Sequence, residues 1–439
     1  MQHRDVQTGE RPRGARTAVP SEGEPAQPTA DLAPPAPSPA RARHRPGGLD
    51  GRTSRRGVAG LVRSASPRAA AFVPAAVFLA VRAVGIAVLG LMAAGRGTPL
   101  ATELRSWDGV WMLSIAQYGY DGVPVTLVDA FGRHTADTAY AFFPGYPAAI
   151  ATVGVLTGGN LVVAALLVTT MAGVVAAYGL VRLAELMPGG SRRAGLLLVA
   201  LFAAAPMGVV LSMAYTEALF CALAVWALVG VLRRQWLLAG LCSAAAGLVR
   251  PTGSALALAV GLAAFAAVVA RRDGVRPWFA GVLAASGLLG YLGYVGWRTG
   301  TPTGWFDIQR TGWGSQFDGG ASLVRFVARA LKSGHEAYDL AVLLTLVGSI
   351  VLLAVAVRMR LPWPLLVYAA VVLLTVWCSD GQIHSRVRLI MPAFPLLLLP
   401  VALGLARRRT GTAVAVVVAV VLASAWFGGY TLTIWRYAI

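Results

Sequence analysis

Few residues of this 439-residue chain could do chemistry, because only 13% are charged against 57% hydrophobic. Asp108 stands between two tryptophans in RSWDGVWMLSIAQYGYDG, residues 105–122. A carboxylate can take a proton from a hydroxyl within hydrogen-bond reach. Glu217 lies in SMAYTEALF, where an apolar run begins and an acid is costly unless solvated, paired or useful. Arg250 breaks a long apolar stretch as Arg250-Pro251, and Arg386 and Arg388 stand two positions apart in HSRVRLIMP. Such guanidinium groups suit an anion, and a phosphate is a natural one.

Each of these residues also has a plainer reading. Ser106 can cap a helix whose first-turn acid, Asp108, complements the dipole, and Glu217 can do the same after Thr216. Arg250-Pro251 can be a turn between helices, and Arg386 and Arg388 can pair with Asp380 or a lipid headgroup. His384 reads as an interfacial polar residue, and no His, Asp or Glu spacing makes a metal site. Cys221, Cys242 and Cys378 have neither a zinc nor a disulfide spacing.

The elements that must position these groups follow from hydropathy. The apolar runs repeat far beyond what a soluble core needs, so the expected class is all-α and polytopic. The net charge of +19 does not point to nucleic acid, because the arginines lie in the N-terminal stretch and short loops and not in a surface patch. Residues 1–68, rich in Pro, Ala and Arg, read as a disordered cytoplasmic tail, and 69–439 as the membrane domain. Ser54-Arg55-Arg56 faintly resembles a twin-arginine signal, but the many spans behind it argue against cleavage.

A span needs roughly 20 apolar residues and Arg-bearing short loops stay cytoplasmic. Those rules give about eleven spans (10–12): 70–93, 160–184, 194–213, 215–232, 236–249, 251–270, 277–297, 338–357, 361–377, 389–406 and 412–433. The Pro-containing run 142–157 is then a re-entrant or interfacial helix, and the C-terminus lies outside. The basic loops near 182–193, 233–234, 271–272, 358–360 and 407–409 all become cytoplasmic. The outer side gathers Glu103, Asp108, Tyr215 to Glu217, Arg250, Asp307, Arg310, Asp318, Asp380, His384, Arg386 and Arg388. A transporter would place ionisable groups at mid-membrane, whereas these apolar runs hold almost none. Trp107, Val110, Trp111, Ser114 and Tyr118 share one helical face, which suits an interfacial helix.

The ordered blocks WDGVWMLSIAQYGY, AFFPGYP, SMAYTEALF, LAGLCSAAAGLVRPTG and SRVRLIMPAFPL resemble the PIG-V-type mannosyltransferases and their bacterial relatives, within the GT-C superfamily of multi-span glycosyltransferases. The resemblance covers roughly residues 70–406. It implies an inverting transfer of mannose from a polyprenyl-phosphate donor to a glycolipid or glycan hydroxyl, on the extracytoplasmic face of the plasma (inner) membrane. It implies Asp108 as general base, and Trp107, Trp111, Tyr146, Tyr215, Glu217, Arg250, Arg386 and Arg388 as substrate-binding candidates. Met112 departs from the pattern, since relatives often carry Tyr there. The lipid-phosphate sugar is a co-substrate, no further cofactor is implied, and a lipid-phosphate leaving group does not demand a divalent metal. A related enzyme using another sugar, and a lipid or glycan transporter, are the alternatives.

Overall fold

The computed structural model describes residues 67–439 except 333–336, 436, 438 and 439. The expected cytoplasmic tail, 1–68, lies outside the described residues apart from its last two positions. Among the described residues every regular element is helical, beside one bridge pair, Phe317 with Ser379. In chain order the helices are α1 (Pro67–Ala94), α2 (Leu100–Glu103), α3 (Asp108–Tyr118), α4 (Gly145–Leu156), α5 (Leu161–Glu185), α6 (Arg192–Ala203), α7 (Glu217–Leu232), α8 (Trp236–Gly247) and α9 (Gly253–Val269). They continue with α10 (Arg276–Thr299), α11 (Gly304–Trp313), α12 (Ala321–Lys332), α13 (Ala337–Arg358), α14 (Trp363–Trp377), α15 (Arg386–Leu389), α16 (Phe394–Leu397), α17 (Leu399–Ala406) and α18 (Thr410–Thr433).

Among the described residues five helices, α1, α5, α10, α13 and α18, are long and apolar enough to cross a membrane. The protein is therefore a multi-pass membrane protein. On α10 the exposed Trp278 and Trp297 lie 19 residues apart, about 28 Å at the helical rise, which matches two aromatic belts at the edges of a ~30 Å hydrocarbon layer.

The other expected spans depart from ideal length. The stretch 194–213 is two pieces, because α6 stops at Ala203 and Pro206 lies in the turn before the 3-10 helix Gly208–Ser212. The helices α7, α8, α9 and α14 have 16, 12, 17 and 15 residues, each shorter than about 30 Å. The expected span 389–406 is bent by 43° where Ile383–Leu397 meets Leu399–Ala406. Run 142–157 forms the 12-residue α4, which turns back along α5: Tyr146 Oη lies 3.1 Å from the Ala165 carbonyl and 2.7 Å from Thr169 Oγ1.

The ends of the helices sort by charge. Arg192 donates to the Ala70 carbonyl at the start of α1, and Arg193 Nη2 donates to the Arg408 carbonyl at 2.9 Å. Arg234 and Asp273 join two further turns at 3.8 Å. These arginine-bearing turns form a basic end, and Asp108, Glu217, Arg250 and Arg388 lie toward the opposite one.

Arg82 is an exception to the expectation of spans nearly free of ionisable groups. Buried within α1, it donates from Nη1 to the Ala203 carbonyl at 2.8 Å and from Nε to Ser212 Oγ at 2.9 Å. Ala203 closes α6, so the cation takes up a carbonyl orphaned by the helix end and complements the dipole there. This clasp holds the broken α6 to the 3-10 turn that leads into Tyr215-Thr216-Glu217.

Candidate active site

The site begins with a strained turn. Gly109 N–H donates to the Ser106 carbonyl at 3.1 Å, closing a four-residue turn whose second residue, Trp107, has φ 56° and ψ −119°. That is the type II′ geometry, in which glycine is favoured at this position and a side chain is strained. Of the order of 1–3 kcal/mol is stored when such a conformation is imposed on a bulky residue. Ser106 does not cap α3, contrary to expectation: its Oγ donates to the Glu103 carbonyl at 2.9 Å, and Trp107 occupies the cap position with no side-chain bond. The turn directs Asp108, the first residue of α3, toward the protein interior.

Asp108 meets Arg388 there. Nη1 of Arg388 donates to Asp108 Oδ2 at 2.6 Å, with the Asp108 side chain 35% exposed and that of Arg388 9%. Arg388 Nε lies 3.6 Å from Glu217 Oε1, and Arg250 Nη1 reaches the same oxygen at 2.5 Å. Arg250 also donates to Thr216 Oγ1 at 2.9 Å. Two carboxylates and two guanidinium groups thus form a chain, Asp108–Arg388–Glu217–Arg250, of zero formal charge. Tyr215 closes one side, with its ring 5.1 Å from the Arg388 guanidinium carbon and its hydroxyl donating to the Ser106 carbonyl at 3.2 Å. Tyr215 therefore ties the strained turn to the arginine that holds Asp108.

Two donors in this chain are unused. Arg250 Nε and Arg388 Nε are buried without a hydrogen-bond acceptor among the described residues. Glu217 Oε1, 3.6 Å from Arg388 Nε, likewise makes no hydrogen bond and is held by ion pairing alone; buried polar groups are nearly always satisfied, so this cluster is under-bonded. Among the described residues no group of three or more His, Cys, Asp or Glu side chains converges to hold a metal ion.

The remaining candidates divide. Trp111 turns inward and stacks on Phe142 at 5.1 Å with Trp313 edge-on at 6.0 Å, so that part of the shared face packs on protein, while Val110 and Tyr118 at its margin and end are exposed. Trp107 is 42% exposed beside Asp108. Tyr146 is fully buried, and its bond to Thr169 continues through Thr169 Oγ1 to the Met213 carbonyl at 2.9 Å. Thr169 is eight residues into α5, about 12 Å along that helix, and this bonded set packs beneath the segment that carries Tyr215. Gly145 N–H donates to the Leu248 carbonyl at 2.7 Å, and a Cβ on Gly145 would stand 2.8 Å from that same oxygen. The Pro-Gly-Tyr block therefore packs backbone to backbone against the segment that presents Arg250.

Arg386 is not part of the carboxylate chain. It donates to Ser322 Oγ at 2.7 Å, to the Ser379 carbonyl, and at 3.5 Å to the Trp377 carbonyl. Asp380, offered as its plainer partner, instead lies 4.0 Å from Arg325. His384 Nε2 pairs with Asp339 Oδ1 at 2.7 Å among Phe326, Tyr338 and Trp435. Asp307 and Arg310 pair with each other at 2.9 Å on α11. The residues not foreseen are Thr216, as an Arg250 acceptor, and Arg82; both bonds join distant parts of the chain.

Beyond the outer face of α3 lies a cleft of about 900 Å³, lined by Arg105, Val110, Leu113, Gln117, Val155 and Asn160 among others. Val110, Leu113 and Gln117 point away from Asp108 at about 100° per residue, so this cleft is separated from the carboxylate chain by the body of α3.

No protein-family model matches the chain, and no curated protein sequence matches it. Among solved structures it is similar to ArnT from Cupriavidus metallidurans bound to undecaprenyl phosphate, at 16% identity and a TM-score of 0.48, over 81% of this chain and 76% of that one. It is also similar to the archaeal oligosaccharyltransferase AglB from Archaeoglobus fulgidus in complex with an inhibitory peptide and a dolichol-phosphate, at 13% identity and a TM-score of 0.42, over 80% of this chain and 56% of that one.

Proposed function

We propose that the protein is a membrane glycosyltransferase that moves mannose from polyprenyl-phosphate mannose to a hydroxyl of a glycolipid or glycan. The reaction takes place on the extracytoplasmic face of the plasma membrane, by a single inverting displacement. The observation that carries this reading is the buried chain Asp108–Arg388–Glu217–Arg250, with one partly exposed carboxylate at its end and two unused guanidinium donors within it. The motif resemblance to the mannosyltransferases supplies the sugar.

In this reading the acceptor oxygen attacks the anomeric carbon as the bond from that carbon to the phosphate oxygen breaks. Asp108 takes the acceptor's proton, and the leaving polyprenyl phosphate gains negative charge. Arg388 and Arg250 face that charge, and stabilising it lowers the barrier. Arg388 holds Asp108 until the donor phosphate arrives; shifting its donors toward phosphate frees the carboxylate for the proton. Glu217 keeps both arginines in place, while Trp107 and Tyr215 flank the sugar. Tyr146 supports the segment that carries Tyr215 through Thr169.

Proteoliposomes given radiolabelled polyprenyl-phosphate mannose and envelope glycolipids test the reading. Label appearing in an acceptor, competed by unlabelled mannose donor and not by the glucose or arabinose donors, is the expected result. Label crossing the bilayer without transfer assigns a transporter instead. Thiols introduced at 298–336 and 378–388 should react from outside and those at 271–276 should not; the reverse pattern overturns the sidedness.

A further inference from the structure

The helix α12 divides into three longitudinal stripes. At about 100° per residue, Ser322, Phe326 and Ala330 fall on one face and are buried against the protein, with Leu323 and Val327 at its margin. A second stripe holds Val324 and Leu331, 68% and 75% exposed, with Ala328 beside them. The third holds Arg325, Arg329 and Lys332, all exposed. Among the described residues Arg325 has a carboxylate at 4.0 Å, and Arg329 and Lys332 have none within that distance. The start of α12 is fixed: Asp318 accepts from the N–H groups of Gly320 at 2.9 Å and Ser322 at 2.7 Å, and Ser322 Oγ accepts from Arg386. Its end lies a few residues before α13, one of the helices able to cross the membrane.

An exposed apolar stripe beside an exposed cationic stripe suits neither water nor the hydrocarbon core. It suits the boundary between them, where the apolar side chains enter the acyl region and the cations meet headgroup phosphates. Three basic residues at the end opposite the arginine-bearing turns also run against the usual distribution of Lys and Arg. We infer that α12 is an interfacial helix that docks on anionic phospholipid, with Arg325, Arg329 and Lys332 contacting the headgroups and Val324 and Leu331 inserted below them. Its anchor on Arg386 couples that docking to the segment carrying Arg388.

Amide hydrogen exchange of the full-length protein in lipid nanodiscs tests this independently of any transfer activity. In discs of phosphatidylcholine with one third phosphatidylglycerol, the amides of 321–332 should exchange about tenfold more slowly than in phosphatidylcholine alone. High salt should remove most of the difference. The variant R325Q/R329Q/K332Q should exchange equally in both lipids, and V324S/L331S should exchange faster than wild type in both. Unchanged exchange within α5 shows that each variant is folded. Equal exchange of wild-type α12 in the two lipids, or an undiminished response in the triple variant, overturns the proposal. Protection that rises with protein copies per disc assigns the stripe to a second copy and overturns it as well.

Discussion

Arg386 and Arg388 share one four-residue helix and are both buried, yet they live in different chemistry. Arg388 faces two carboxylates and a tyrosine ring. Arg386 hydrogen-bonds a serine hydroxyl and backbone carbonyls, with Asp318 and Asp380 near it but not bonded to it. Positions i and i+2 of a helix point about 200° apart, so one residue reaches into the carboxylate chain while its neighbour laces the 378–388 segment to the start of α12. Arginines matched to carboxylates can be handed to another anion. An arginine satisfied by neutral oxygens holds structure.

The largest expected effect breaks that contrast from the charged side. Arg388→Gln leaves Asp108 without a cation and Glu217 with Arg250 alone, and stripping one partner from a buried pair such as Arg388–Glu217 costs about 3–5 kcal/mol. Transfer should fall by about a hundredfold or more and the thermal midpoint should drop, with Arg388→Lys recovering stability better than rate. Arg386→Gln should cost about 1–3 kcal/mol through the carbonyls it abandons, with a drop in transfer of less than about tenfold. Comparable rate losses for the two substitutions, once stability is matched, would erase the distinction.

The next effect sharpens the role of the turn that presents Asp108. Trp107→Gly relaxes a positive φ that favours glycine, so the thermal midpoint should hold or rise while sugar transfer falls about tenfold. A loss of stability would show that the indole is retained for packing. Gly145→Ala brings a Cβ against the Leu248 carbonyl and should cost about 1–3 kcal/mol by pushing the Arg250 segment away.

The smallest effect lies outside the site. Partial burial pushes the Asp129 carboxyl up, but the N–H groups of Arg133 and Phe131 and the Arg133 guanidinium outweigh it and hold the group below the usual carboxylate range. A depressed folded-state value means stability that is present above the unfolded value of about 4 and is lost as pH falls through the folded one. The loop 123–137 should therefore resist proteolysis at neutral pH and loosen below about pH 4, and Asp129→Asn should flatten that dependence. An unchanged profile in the variant would assign the acid sensitivity elsewhere.

How much of this the sequence discloses depends on how local each cause is. The presence of a helix after Trp107 and the turns at Arg233-Arg234, Arg271-Arg272 and Arg407 to Arg409 follow from neighbouring residues and are legible. The break after Ala203 is half-legible: Pro206 marks it, but hydropathy averaged over a span-length window runs straight across. The II′ turn at Trp107 is hidden because no glycine announces it. Arg82 meets Ser212 across 130 positions, and Arg388 meets Asp108 across 280. Residue types nominated the members of the site, while the fold decided which arginine faces which acid.

The central claim is that Asp108 takes the acceptor's proton, and one rate tests it most directly. Asp108→Asn preserves size and the contact with Arg388 while removing the base. In proteoliposomes with saturating polyprenyl-phosphate mannose and a thermal midpoint close to wild type, the single-turnover transfer rate should fall between about a hundredfold and ten-thousandfold. A folded Asp108→Asn protein that transfers mannose near the wild-type rate would contradict the account.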